Sequence, residues 1–395
     1  MTTAVFLFSG GCGDLRGATD AGYEPQYAAN HDTAACDTAR ANWPGLWVQQ
    51  CDINNLDMRS VPGADVVVGS PICWEVGRSG GRTTPRAQLA LTFDDSQPER
   101  PDFTRTRMTA WDPIRYAEVH RPLAYIGENV PEFGMGRNRP LFDAWLHVWD
   151  ALDYYPVIAS VNAAHTDGPG YRRLPQLRHR VVWAMIRKDL GRLPDLRPRP
   201  DALCDVCGPV KGMQHWTIAP RARRVGEYGD QYHYVCPTPR CHRRVEPVVA
   251  GIGDVIDDSV RGHRFGDGWT RGTKRVPYVA ATRACVAQGI ARFGGEPFMV
   301  TRRNHGRATS LNEPIGTITA QGGNHHYLVR PGGDGSVDGC EYRPLTLAEK
   351  ARLQGFPDHH VFAGEETAQR LQIGNAVPVN VATWAAERVR AVVAP

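Results

Sequence analysis

Short runs of consecutive apolar residues recur through the first half of the chain, at 5–8, 66–68, 123–126, 157–161 and 181–186. Their length and β-branched content are those of strands buried on both faces. Between them, 32–42 and 141–152 carry helical spacing. Strands alternating with helices predict an α/β fold, a parallel sheet covered on both faces. From about Gly191 to about Asp338 the periodic pattern gives way to Pro-, Arg- and Gly-rich sequence, which predicts a smaller, irregular domain inserted into the first. Helical spacing resumes at 345–354 and 378–393, and in the second of these Val381, Trp384, Ala385, Val389 and Val392 fall on one face. The tail is therefore expected to rejoin the first domain, giving 1–188 with 340–395 as one unit and 189–339 as the other. Residues 92–109 are polar and charged enough for a mobile loop.

The 395 residues suffice for two or three domains. With 42% hydrophobic and 22% charged residues, the composition excludes collagen, coiled coil and wholesale disorder. The formal net charge of +4 permits a polyanionic partner without requiring one. No apolar run reaches the roughly 20 residues that span a bilayer, and the first run has no basic segment before it, so a cytoplasmic protein without a membrane partner is expected. Of 10 Cys, four form two close couples in the central segment, which in a reducing compartment favours a metal site over disulfides.

The first predicted strand runs into Phe8-Ser9-Gly10-Gly11-Cys12-Gly13-Asp14, a turn at which a cofactor could approach the backbone closely. Arg16 stands where a dinucleotide fingerprint needs its third Gly, so a nucleoside cofactor other than NAD fits better. Asp32 and Asp52 are placed for its ribose hydroxyls. Cys73 follows the next strand, either as a nucleophile or as a small core residue. Glu128 ends another strand, as a proton donor if burial raises its pKa or as a solvated loop acid.

Pro175-Gln176-Leu177-Arg178-His179-Arg180, Arg343-Pro344-Leu345-Thr346, Gln354-Gly355-Phe356-Pro357 and Gln372-Ile373-Gly374-Asn375-Ala376-Val377-Pro378 complete a series. In order, content and spacing it resembles the motifs of the DNA (cytosine-5)-methyltransferases of prokaryotes and phages, from the first strand to the last helix. The resemblance implies a Rossmann-like S-adenosylmethionine-dependent methyltransferase domain with an inserted target-recognition domain, acting on double-stranded DNA. It implies that Phe8, Gly10, Gly13, Asp32, Asp52, Pro71 and Asn375 bind S-adenosylmethionine, released as S-adenosylhomocysteine. It implies Cys73 as the nucleophile at C6 of a flipped-out cytosine, Glu128 as the carboxyl group at N3, and Arg178 and Arg180 as the arginines beside it. The Gly-rich segment 77–82 would close over the base. Where the family has Pro and Gln beside the nucleophile, this chain has Ile72 and Trp74, and Cys12 and His31 are further departures. These leave a catalytically inactive DNA-binding homologue as one alternative, and the same chemistry on RNA as another.

The inserted region holds Cys204 and Cys207 as C-x₂-C, then Cys236 and Cys241 as C-x₄-C. Four thiolates on two knuckles would close a tetrahedral structural zinc site. Around them Arg221, Arg223, Arg224, Arg240, Arg243, Arg244, Arg271, Lys274 and Arg275, interleaved with Trp216, Tyr228, Tyr232 and Tyr234, are read as a surface for phosphates and base edges. The 302–326 stretch is expected to pack at the hinge of the two lobes. The expected partners are DNA and a cognate restriction enzyme or a further DNA-modifying enzyme, with the protein itself a monomer.

Overall fold

The chain is described from a computed structural model over residues 1–72, 108–217, 225–271, 273–302, 306–320 and 325–394. Cys73, Trp74, the 77–82 segment and nearly all of the 92–109 stretch lie outside these residues, as do Arg221, Arg223, Arg224 and the side chain of Arg271.

Eight strands open the chain: β1 (Thr2–Leu7), β2 (Tyr23–Asn30), β3 (Trp47–Gln50), β4 (Val66–Gly69), β5 (Ala124–Asn129), β6 (Tyr154–Asn162), β7 (Gln176–Leu177) and β8 (His179–Arg187). Seven of them form one sheet in the order β3-β2-β1-β4-β5-β8-β6. The first five strands pair in parallel, as the alternating pattern predicts. The wholly parallel sheet expected from the sequence is corrected at its end, where β8 is antiparallel to both β5 and β6. No α-helix connects β6 to β8, so there is no crossover to return the chain in the same direction.

Helices α1 (Gly13–Asp20), α2 (Thr33–Asn42), α3 (Asp112–His120) and α4 (Arg139–Ala151) lie between the strands. Asp32 starts α2 by accepting from the Ala35 amide at 2.8 Å, a cap that satisfies one of the free N–H groups of the first turn. One face of the sheet packs on α1 and the late helix, burying Leu15, Ala18, Val381, Trp384 and Val389. The other buries Trp145, Trp149, Trp183, Tyr125 and Tyr154 in interlocking rings.

The central region contributes β9 (Asp201–Cys204), β10 (Gly208–Lys211), β11 (Met213–Trp216), β12 (Tyr232–Val235) and β13 (Arg244–Pro247), a five-stranded sheet ordered β10-β9-β13-β12-β11. It docks on the end of β6: Gln214 Nε2 donates to the Ser160 carbonyl at 2.8 Å, and the Gly226 amide donates to Ser160 Oγ at 3.0 Å. Tyr232 and Tyr234 are core residues of this sheet, not the surface aromatics expected from the sequence. Alternation along β12 turns both rings inward.

Next come β14 (His263–Arg264), β15 (Trp269–Arg271), β16 (Lys274–Val276), α5 (Ala280–Phe293), β17 (Phe298–Thr301), β18 (Arg307–Ser310), β19 (Ile315–Gly316), β20 (His326–Arg330) and β21 (Glu341–Pro344). Five of these strands form a third sheet, β14-β21-β20-β17-β18, which takes in both sides of the expected boundary at 339/340. Helix α5 is a 14-residue helix in a region the sequence marks as aperiodic. The chain ends with α6 (Leu347–Leu353), α7 (Glu366–Asn375) and α8 (Val379–Val393), the last burying the face of Val381, Trp384, Ala385, Val389 and Val392 read from its spacing. Among the described residues, no helix is long and apolar enough to cross a membrane.

Candidate active site

Because β1 to β5 are parallel and β8 is antiparallel to β5, the carboxyl ends of the first five strands and the amino end of β8 share one edge. In sheet order that edge carries Asp52, Asp32, Phe8, Pro71, Glu128 and Arg180. The strand order reverses direction at β1 and β4, the place where open α/β sheets leave a crevice for ligands.

Glu128, on β5, is 8% exposed, and its Oε2 lies 2.8 Å from Arg180 Nε. The contact is an ion pair without hydrogen-bond alignment, so among the described residues neither atom has a directed partner. Burial pushes the Glu128 carboxyl above its ordinary range, against the pull of Arg180 and Arg178 and with a further push from Asp14. A buried acid so biased can carry a proton and still sit beside a guanidinium.

The neighbouring Asn129 is fully engaged: Nδ2 donates to the Pro71 carbonyl at 2.9 Å and Oδ1 accepts from the Val130 amide. The Ile72 amide donates to Thr109 Oγ1 at 3.1 Å. These two side chains hold the backbone at the point where the chain leads to Cys73, which itself lies outside the described residues. Neither was singled out in the sequence; Asn129 follows Glu128 directly, and adjacency is the one signal that could have marked it.

Around the glycine-rich turn, Phe8 and Cys12 adopt left-handed backbone with φ of 67° and 62°. Among the described residues nothing beyond its chain neighbours lies within 4 Å of where a Cβ on Gly10 would stand, which leaves room for a ligand against this backbone. Gly13 is closed instead: a Cβ there would meet the Val377 carbonyl oxygen at 2.0 Å. Asp14 is buried, its Oδ1 accepting from Ser9 Oγ and the Leu15 amide at 2.9 Å each. Asp32 and Asp52 are exposed, and each uses a carboxylate oxygen to cap the turn that follows it. Asn375 is exposed at the end of α7.

Arg178 is buried, as Arg180 is, but it lies between β7 and β8 and is turned elsewhere. Its guanidinium donates to the carbonyls of Ile318 at 3.0 Å, Gly374 at 2.9 Å and Ala376 at 3.1 Å, on both sides of Asn375. Gln176 donates to the Leu353 carbonyl and accepts from the Ile318 amide, and Gln354 donates to the Ile373 carbonyl. A bidentate Arg343–Glu349 pair at 2.8 and 2.7 Å, wholly inside the protein, anchors α6 through the Thr346 capping box. The motif residues after Glu128 thus build the frame on which the Gly374–Ala376 turn rests.

In the second sheet, the thiol sulfurs of Cys204, Cys207, Cys236 and Cys241 all lie within 4.8 Å of one another, and Cys204 Sγ is 3.7 Å from Cys241 Sγ. Four sulfurs about 2.3 Å from one ion would stand roughly 3.8 Å apart, so the donors fit a tetrahedral thiolate site. A contact with Thr238 lowers the Cys236 thiol to about 7, towards the ligating form. His233 lies against His215 across β11 and β12, the rings tilted at 46°, and is not part of this group. Of the nine basic residues picked out in the sequence, Arg243 and Arg244 are tied to Asp205 and Glu246.

The model of a family described as C-5 cytosine-specific DNA methylase matches residues 3–202 and 262–391. The type II methyltransferase M.NgoFVII of Neisseria gonorrhoeae is 24% identical over 379 residues, 94% of this chain and 82% of the relative. M.Sau96I of Staphylococcus aureus, also a type II methyltransferase, is 26% identical over 387 residues, 95% of this chain and 73% of the relative. Among solved structures, a mutant of Spodoptera frugiperda DNMT2 shares the fold over 100% of this chain and 99% of its own, with a TM-score of 0.55 at 13% identity.

Proposed function

The chain belongs to the C-5 cytosine-specific DNA methylase family, and from that premise we propose how its own residues divide the reaction. The activity is transfer of a methyl group from S-adenosylmethionine to carbon 5 of cytosine in DNA.

In this reading Cys73 is the nucleophile. Its thiolate adds to C6 of a cytosine flipped out of the duplex, because neither face of a stacked base is accessible. Glu128 hydrogen-bonds N3 in its protonated form, drawing electrons out of the ring as the C6–S bond forms and leaving C5 nucleophilic. Arg180 orients the Glu128 carboxyl. After methylation the C5 proton leaves, the C6–S bond breaks and Cys73 is released. Asn129 and Thr109 set the direction from which Cys73 arrives. Arg178 is assigned to shaping the cofactor side, through the carbonyls that flank Asn375.

S-adenosylmethionine supplies the methyl group as a sulfonium electrophile. Phe8, Gly10, Gly13, Asp32, Asp52, Pro71 and Asn375 are proposed to form its seat; the open space at Gly10 supports a ligand against that backbone. The four Cys are proposed to hold a structural zinc ion that stiffens the sheet of the recognition lobe, taken as 189–339 against a catalytic lobe of 1–188 and 340–395. The relatives' type II names favour a restriction–modification setting, with a cognate endonuclease as functional partner. All the proposed groups come from one chain, so a monomer suffices.

The observation that carries the reading is the buried Glu128–Arg180 pair on the same sheet edge as Phe8 and Pro71. The test is methyl transfer from labelled S-adenosylmethionine to unmethylated DNA, with bisulfite sequencing. We expect 5-methylcytosine in one short context, and its loss in Cys73→Ser with DNA binding retained. Undiminished activity of Cys73→Ser would remove the nucleophile assignment.

A further inference from the structure

Strand pairing leaves Arg180 half held. Glu128 stands opposite Val182, and the last pair between β5 and β8 is Asn129 with Val181, so Arg180 lies one residue beyond it. On its other side Arg180 is paired with Val161 of β6. The ladder therefore fixes its backbone against β6 and leaves its approach to Glu128 to other contacts. A long side chain held loosely there would lose the geometry of the pair to rotamer freedom.

One turn from the central region touches both sides of this gap. Val225 is buried in the aromatic core, and its Cγ2 stands 3.0 Å from where a Cβ on Gly134 would be, at the end of the short turn Pro131–Gly134 that follows β5. The Gly226 amide donates to Ser160 Oγ on β6 at 3.0 Å, and the Tyr228 amide donates to His179 Nδ1 at 3.4 Å. The carbonyl of His179 in turn accepts from Arg180 Nη1 at 2.7 Å, while Arg180 Nε faces Glu128. The turn is itself anchored on the four-Cys sheet. Its Tyr228 ring stacks on Tyr234 of β12 at 5.4 Å and meets buried His165 edge-on at 4.7 Å, and the Tyr228 hydroxyl bonds Glu246 of β13. Strand β12 runs directly into Cys236. The family model matches the chain on either side of residues 203–261, so this turn is additional to the motifs that carry Glu128 and Arg180.

We propose that the turn Val225–Tyr228 is a positioning element for the chemical step: anchored on the four-Cys sheet, it clamps the start of β8 beside the turn after β5 and so fixes Arg180 relative to Glu128, with His179 as the positioning residue it grips. The proposal rests on the reading of Glu128 and Arg180 as the groups that meet the base. The central sheet then sets the rate of methyl transfer and not only the affinity for DNA.

The experiment is single-turnover methylation at saturating duplex and S-adenosylmethionine, with rates taken per site titrated by the cofactor, for wild type, His179→Ala, His179→Asn, Tyr228→Ala and the double variant of His179→Ala with Tyr228→Ala. Each alanine variant should slow the saturated rate about tenfold, the order expected when a reacting group is displaced by a fraction of an ångström. In His179→Ala the dissociation constants for duplex and cofactor should stay within about twofold of wild type, which places the loss in the chemical step. His179→Asn, whose Oδ1 can take the Tyr228 N–H in place of Nδ1, should recover most of the rate. Because both alanines break one chain of contacts, the double variant should be no slower than the slower single variant. Ser160→Ala, which frees the Gly226 amide, should cost about threefold and serves if Tyr228→Ala does not fold. A wild-type saturated rate in His179→Ala, a loss that His179→Asn does not recover, additive losses in the double variant, or an effect confined to duplex affinity overturns the clamp while leaving Glu128 in place. Wild-type turnover by Glu128→Gln would instead overturn the donor reading itself.

Discussion

Gly13 and Val377 meet backbone to backbone, with a Cβ on the glycine placed 2.0 Å from the valine carbonyl oxygen. The glycine-rich turn near the start of the chain and the turn before its last helix are therefore one contact. This glycine is required by packing within the protein, whereas Gly10, three residues earlier, borders open space.

The two positions should separate in a mutational test. Gly13→Ala is expected to destabilise the fold by about 1–3 kcal/mol or more, because a methyl group has nowhere to go against backbone. Gly10→Ala should leave the melting temperature near wild type and weaken S-adenosylmethionine binding. Equal stability losses at both positions would show that the space beside Gly10 is not a ligand seat.

Glu128→Gln keeps a hydrogen-bond donor near N3 but cannot deliver a proton. Single-turnover methylation is expected to fall about 10²- to 10⁴-fold, with cofactor affinity unchanged. Rapid-quench measurement of labelled methyl transfer reads this directly.

Arg178→Ala removes a buried guanidinium from three carbonyls, at 2.9 to 3.1 Å. A stability loss of about 3–5 kcal/mol is expected from urea unfolding. Arg178→Lys, which cannot span all three, should fold and bind S-adenosylmethionine about tenfold more weakly while methylating at a similar rate once saturated. A fall in saturated rate with unchanged cofactor affinity would place Arg178 at the base instead.

For the metal, purified protein is expected to release one zinc per chain on thiol modification, as measured with a chromogenic chelator. Cys204→Ala should abolish the release and lower the stability of the central sheet more than that of the first. Absence of zinc in protein grown with it would end the assignment.

The Arg343–Glu349 pair predicts an acid limit to stability. Burial alone would raise the Glu349 carboxyl, but Arg343 and the amides of Asp257 and Thr346 outweigh it and hold it below its ordinary value. A depressed carboxylate contributes stability above its unfolded pKa, roughly 4.3, and loses it as pH falls through the folded value. Glu349→Gln should accordingly narrow the gap between melting temperatures at pH 7 and pH 4. Glu128 and Asp14, both raised, act in the opposite sense and contribute nothing to this acid loss.

Where a signal was local, the sequence could be read directly. The buried stripe of α8 follows from five residues at helical spacing, and the strand at Glu128 from the apolar run before it. Strand β2, Tyr23–Asn30, contains Pro25 and Gln26 and has no strand-like pattern, so it emerges only through pairing with β1. The direction of β8 depends on the absence of a crossover, and the buried Tyr232 and Tyr234 on what packs above them; neither is local. The same holds for Arg178, whose spacing beside Arg180 gives no hint that its partners lie 140 to 198 positions away.

Strand β19 lies beside β7, with Ile315 opposite Gln176 and Gly316 opposite Leu177, and Thr317 and Ile318 continue the attachment. That pairing sets the seam for any chimaera. A foreign segment grafted through residue 318 would replace the strand on which Gln176 and Arg178 are seated, and under the proposed roles would alter methyl-donor affinity along with the sequence read. A downstream junction placed before Ile315 would leave that seat in place.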